Sequence, residues 1–189
     1  MNLMRPIAIT LSLLFIASLA HAGDKLKTPP DQRYLMLVTA RTSTMQKELD
    51  EAADQGFRIV MGSPTSTVEM AILLERKAQP PETYKYKLLA TTRSSTMQKE
   101  LNDAAHDGFR LLPRTIIAKS GMMAVNEVVL VLERAPNTDK RYEYKLLVTT
   151  NAEKLQKEVA ELEADGFTLA GIVSRGGHLV IMEKVTQSK

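Results

Sequence analysis

The sequence predicts an α+β fold: three tandem β-α-β-β repeats packed into one pseudo-symmetric body, following a cleaved signal peptide. Two observations carry this. The run Arg41-Thr42-Ser43-Thr44-Met45-Gln46-Lys47-Glu48-Leu49 returns almost unchanged as Arg93-Ser94-Ser95-Thr96-Met97-Gln98-Lys99-Glu100-Leu101, and again, diverged, as Leu155-Gln156-Lys157-Glu158-Val159. Tyr34, Tyr86 and Tyr144 each precede the glycine of a Gly-Phe pair (Gly56, Gly108, Gly166) by 22 positions. Self-similarity at a steady period is the mark of a repeated folding unit. The copies differ in length at one place: Phe57 to Glu75 is 18 positions and Phe109 to Glu133 is 24. An insertion confined to one loop, with the rest in step, is what such a unit tolerates.

In chain order, residues 1–22 read as a secretory signal peptide. Arg5 gives a positive start, Ile7 to Ala20 is mostly apolar, and Ala20-His21-Ala22 is a small-x-small cleavage site. The apolar run is shorter than the ~20 residues a spanning helix needs. The expectation is an exported protein, periplasmic or secreted, with no stable membrane insertion after cleavage. Residues 23–32, with Pro29-Pro30, read as a flexible lead-in. The repeats then occupy 33–79, 80–137 and 138–189.

Each repeat reads strand, helix, strand, strand. In the first strand, Tyr84, Tyr86, Leu88 and Ala90 alternate with Lys85 and Lys87, so the tyrosines share one face, expected to lie under the helix. In the helix, Met45, Leu49, Ala52 and Ala53 fall on one side, matched by Met97, Leu101, Ala104 and Ala105, and by Leu155, Val159 and Leu162, with Glu163 in place of the last alanine. Ser43 with Gln46, Ser95 with Gln98, and Thr150 with Glu153 fit capping boxes at the helix starts. Gly56, Gly108 and Gly166 stand where a helix ends in a left-handed residue. The Phe after each glycine opens the second strand as a core anchor.

The third strands, Ala71-Ile72-Leu73-Leu74, Val128 to Leu132 and Leu179 to Met182, are apolar without alternation, which implies burial on both faces. One helix per repeat covers one face only. Either the three sheets pack on each other, or a second subunit covers what is left. The hairpins before these strands differ in each copy: Gly62 to Thr67, a long one over 113–126, and a tight turn at Arg175-Gly176-Gly177-His178.

Composition removes several functions. Cleavage after Ala22 leaves 167 of the 189 residues and takes away one charge, Arg5, so the formal net charge falls from +3 to +2. That balance gives no basis for nucleic-acid binding. There is no Cys, so neither disulfides nor thiol chemistry is available. Past the signal only His106 and His178 remain, in different repeats, so no metal is expected. No cofactor motif and no catalytic constellation stands out. One arrangement rises above background. Arg41 with Ser43 and Thr44, and Arg93 with Ser95 and Thr96, place a guanidinium and hydroxyls at a helix start, a candidate anion site.

The pattern Tyr142-Glu143-Tyr144-Lys145, a capped helix and Gly166-Phe167-Thr168-Leu169 resembles a small bacterial domain-of-unknown-function family, with Phe where Trp is common there and with the unit in three copies. The resemblance implies a β-α-β-β fold and no activity. The function expected is an exported non-catalytic binding or interaction module of the periplasm or cell envelope. It would take a protein or small ligand through a sheet face, strand edge or hairpin, and could form a homo-oligomer through strand edges. The alternative is an envelope enzyme or small-anion-binding protein with a site between repeats.

Overall fold

A computed structural model describes residues 25–77, 83–120, 126–174 and 177–186. The predicted signal peptide, the Pro80-Pro81 join, the tip of the long hairpin and the centre of the last hairpin lie outside the described residues. The elements are β1 (Tyr34–Thr39), α1 (Thr42–Asp54), β2 (Phe57–Pro64), β3 (Met70–Arg76), β4 (Lys85–Thr91), α2 (Ser94–His106), β5 (Arg110–Leu111), β6 (Ile117–Ser120), β7 (Asn126–Arg134), β8 (Arg141–Thr149), α3 (Ala152–Ala164), β9 (Thr168–Ser174) and β10 (His178–Thr186). Among the described residues, three helices and ten strands make a mixed α+β protein. The strands form three antiparallel sheets ordered β1-β3-β2, β4-β7-β5 with β6 also on β7, and β8-β10-β9.

In each sheet the strand after the hairpin is central, so the two outer strands run the same way and the helix crosses between them. β2 and β9 carry a bulge, at Val60 and Ala170, where one residue has no opposite number. In the second sheet that irregularity widens into an excursion. β5 stops at Leu111, a 3-10 turn follows at Pro113–Thr115, and β6 rejoins β7. Buried Thr115 stabilises it by donating to Leu112 O at 2.8 Å.

The helix ends follow local rules. Gly56, Gly108 and Gly166 have φ of 80°, 85° and 86°, a region costly to residues with a Cβ. The starts do not follow the predicted capping boxes. Arg41 and Arg93 are the N-caps, with no side-chain cap bond, and Ser43 and Ser95 lie inside the helices. The hydroxyls of Thr39, Thr91 and Thr149 instead accept from the amides of Arg41, Arg93 and Asn151, which shapes the strand-to-helix turn. Only α3 has a side-chain cap: Asn151 Oδ1 accepts from Lys154 N at 2.9 Å, so Thr150 does not serve.

The core explains the apolar third strands. Met45, Leu49, Ala52 and Ala53 of α1 are buried against Leu35, Leu37, Ile72 and Leu74 of the first sheet. The same cluster takes in Tyr84, Tyr86, Ile117, Val129 and Val131 from the reverse face of the second sheet. A second cluster repeats this, joining Met97, Leu101, Leu111, Leu130 and Leu132 to Tyr144 and Ile181 of the third sheet. The tyrosine face therefore packs on the preceding helix, not under its own. Val128 to Glu133 of β7 are all buried, between α2 on one side and the first sheet with α1 on the other. In β3, by contrast, burial alternates, because nothing among the described residues covers the reverse face of the first sheet.

The predicted flexible lead-in is docked over its described part. Leu26 N donates to Glu51 Oε2 at 2.7 Å, Gln55 Nε2 donates to Leu26 O at 2.8 Å, and Arg76 donates to Thr28 Oγ1, Pro29 O and Gln32 O. Residues from Lys25 on thus close the C-terminal end of α1.

Candidate functional site

Two seams, one between the first and second sheets and one between the second and third, share one set of polar contacts. On one side, a glutamine of the helix lies along the outer edge of the next strand. Gln46 Nε2 donates to Tyr86 O at 3.0 Å, and its Oε1 accepts from Leu88 N at 2.8 Å. Gln98 does the same with Tyr144 O and Leu146 N, both at 2.8 Å. Asn102 adds bonds to the Tyr144 amide and carbonyl. The glutamine amide acts as a one-residue strand and satisfies an edge left open by the sheet.

On the other side sits a buried carboxylate. Arg58 holds Glu133 through two bonds of 3.0 and 2.7 Å, and Tyr86 Oη donates to Glu133 Oε2 while accepting from Ile59 N. Arg110, Glu183, Tyr144 and Leu111 N repeat the arrangement, with Tyr144 Oη 2.7 Å from Glu183. Burial, with the facing carboxylate, pushes both phenols well above the ordinary tyrosine range. The carboxylate bonds raise Arg58 and Arg110 further. A groove of about 380 Å³ runs past Arg58, Arg110, Glu133 and Tyr142. Each guanidinium there already holds a carboxylate, so the convergence of Arg58 and Arg110 is a structural ion-pair set; Asp139 and Lys140 also line the groove and are exposed.

The predicted anion residues fall into two separate places. Arg41, Ser43 and Thr44 begin α1, and Arg93, Ser95 and Thr96 begin α2, so the two triads do not meet. Arg41, Arg93, Ser43, Ser95 and Thr96 are exposed. Arg93 lines a cleft of about 470 Å³ at the second seam with Ser94, Thr149 and His178, over a floor that includes Met97, Val128 and Leu179; Ser95 and Thr96 are not part of it. At the first seam the β6 hairpin reaches the corresponding place, where Lys119 donates to Ala40 O at 2.8 Å and pairs with Glu127. Among the described residues there is no cluster of three or more groups able to hold a metal, and no helix is long and apolar enough to cross a membrane.

The remaining candidate is the uncovered reverse face of the first sheet. Tyr34, Met36 and Val38 of β1 are 49%, 47% and 46% exposed, and Met61 of β2 is 44% exposed. Tyr86 and Tyr144, in the place of Tyr34, are 4% and 0% exposed. At the opposite end, α3 has no fully buried residue, Gln156 is exposed, and Leu169 and Ile172 of β9 are 60% and 56% exposed. Sequence reading placed Gln46, Gln98 and Gln156 in a capping role or none. Their recurrence at one helical position was the available signal for the edge contact. No protein-family model, characterised protein or solved structure matches the chain.

Proposed function

We propose that this chain is an exported, non-catalytic binding module of the periplasm or cell envelope, built from three tandem β-α-β-β copies packed as one pseudo-symmetric body and related to the small bacterial domain family it resembles. The observation that carries the binding role is the reverse face of the first sheet, where Tyr34, Met36, Val38 and Met61 are exposed while Tyr86 and Tyr144, in the place of Tyr34, are buried. Grouped exposed apolar side chains of this kind mark interaction sites. The engagement of both Arg58 and Arg110 by buried carboxylates gives that groove a structural role and favours binding over chemistry.

The test is capture from envelope extract by the protein starting at Gly23, run beside Met36→Lys. A partner held by the wild type and lost with Met36→Lys supports the reading. Equal capture by both, or a metabolite co-purifying in the Arg93 cleft, overturns it in favour of a small-ligand site between the second and third copies.

A further inference from the structure

We propose that the partner of the first sheet's reverse face is the α3–β9 side of a second copy of this chain, so that molecules join head to tail. The proposal rests on reading that face as a binding surface and names its occupant. Both surfaces are the end members of a series whose inner members already meet. At the two seams within the chain, the reverse face of one sheet closes over the helix and second strand of the unit before it. Among the described residues, no unit packs on the reverse face of the first sheet and none packs on the outer side of α3.

The polar groups of the seam recur at the free ends. Gln156 occupies the place of Gln46 and Gln98, and its exposed side chain has no hydrogen-bond partner among the described residues. Met36 stands in the register of Leu88, whose amide Gln46 takes: Met36 opposes Leu73 as Leu88 opposes Val131. Leu169 stands in the place of Ile59 and Leu111, whose amides donate to the tyrosine hydroxyls at 3.1 and 2.8 Å. Tyr34 would bring the matching hydroxyl.

Where the ends depart from the inner seams, they depart together. Thr168 replaces the seam arginine, and the facing carboxylate, Glu75, already has Arg33 and Lys77 as partners. Glu163 replaces the buried Ala53 and Ala105. The exposed Glu163 thus adds an acid at one end, and Arg33, whose side chain is 70% exposed beside Glu75, adds a cation near the other. Gln32 Nε2 meanwhile donates to Tyr34 O at 2.9 Å, the bond Gln46 makes to Tyr86, so the isolated end is partly satisfied. These features describe a contact weaker than the inner seams and reversible. Unlike surfaces joined this way extend into chains or close into rings.

The experiment is sedimentation velocity over a concentration series to about 1 mM, the range in which weak association is read. The wild type should gain mass in whole-chain steps. Met36→Asp blocks one end and Leu169→Asp the other. Each should remain a single chain, whereas their equimolar mixture should double in mass and go no further, since the pairing uses the one intact end of each variant and leaves both blocked ends outermost. A Leu169→Asp protein that still dimerises shows a symmetric face-to-face contact and overturns the proposal, as does a wild type that stays single throughout. Chemical cross-linking of Met36→Cys to Gln156→Cys chains in the otherwise cysteine-free protein gives a check independent of how the Asp variants fold. Only mixed 36–156 products fit. An envelope partner lost with Met36→Lys yet kept with Leu169→Asp would leave the binding role intact while removing self-association.

Discussion

Gln98 and Leu146 meet side chain to backbone: the amide of Leu146, on the outer edge of β8, donates to Gln98 Oε1 at 2.8 Å, across the seam between α2 and the third sheet. Removing the glutamine leaves that amide and the Tyr144 carbonyl without this partner in a part-buried place. Gln98→Ala should therefore cost about 1–2 kcal/mol, because an unmet buried donor keeps its desolvation penalty. Gln46→Ala should cost a similar amount. Gln156→Ala, fully on the outside, should stay within about 0.5 kcal/mol. Urea midpoints at constant slope measure all three.

Tyr144→Phe takes away one hydroxyl that serves two partners, the Glu183 carboxylate and the Leu111 amide. The expected loss is about 1–3 kcal/mol with no change in secondary structure by circular dichroism. Arg110→Ala also strips a partner from Glu183, but the arginine side chain is 58% exposed. Water can stand in for part of the cation, but the Glu183 carboxylate is only 6% exposed, so the loss should match or exceed that of Tyr144→Phe.

Burial raises the folded-state pKa of Tyr86 and Tyr144 above the unfolded value of about 10. Below that pH both states keep the proton and stability is full. Above it the unfolded chain ionises first, and stability falls as pH rises toward the folded-state values, by about 1.4 kcal/mol per pH unit for each tyrosine. Urea melts between pH 9 and 11 should show this decline. The Tyr86→Phe, Tyr144→Phe double variant, though less stable at pH 8, should show a flatter profile. An equal slope in the double variant would rule out these two phenols as the cause.

Gly108→Ala and Gly166→Ala both force a Cβ into positive φ, at a cost of about 1–2 kcal/mol. Their surroundings differ. A Cβ at Gly108 would sit 3.1 Å from Arg141 Nη1 and 3.4 Å from Lys140 O, whereas at Gly166 its nearest neighbour is Lys184 Cε at 3.7 Å. Gly108→Ala should lower the melting temperature more than Gly166→Ala, as scanning calorimetry would show.

What could be read from sequence was whatever depends on near neighbours. The stripe Met45, Leu49, Ala52, Ala53 is buried as its spacing says, and the three helix-ending glycines take the backbone angle that only their lack of a side chain makes cheap. Contacts between distant segments were not legible. Gln46 bonds to residues 40 and 42 positions away, which depends on how two sheets dock, and a capping box used the same residues more locally. The tyrosine face was placed under its own helix because a single repeat offers no other cover; the preceding unit supplies it. Residues 25–32 looked free from their polar, proline-bearing composition, yet their backbone groups match Arg76 and Gln55. Position along a helix groups Arg41 with Ser43 and Thr44, and Arg93 with Ser95 and Thr96, but does not say whether the two arginines face a common space.

The seam contacts carry a consequence for the gene. Arg58 and Arg110 face equivalent glutamates, and Gln46 and Gln98 face equivalent strand edges. A chain that lost its middle third could set Arg58 against Glu183 and Gln46 against Tyr144 with the same bonds. Recombination between the nearly identical stretches at residues 41–49 and 93–101, 52 positions apart, would give a shortened chain that keeps Arg110 against Glu183 and one glutamine against the Tyr144 edge.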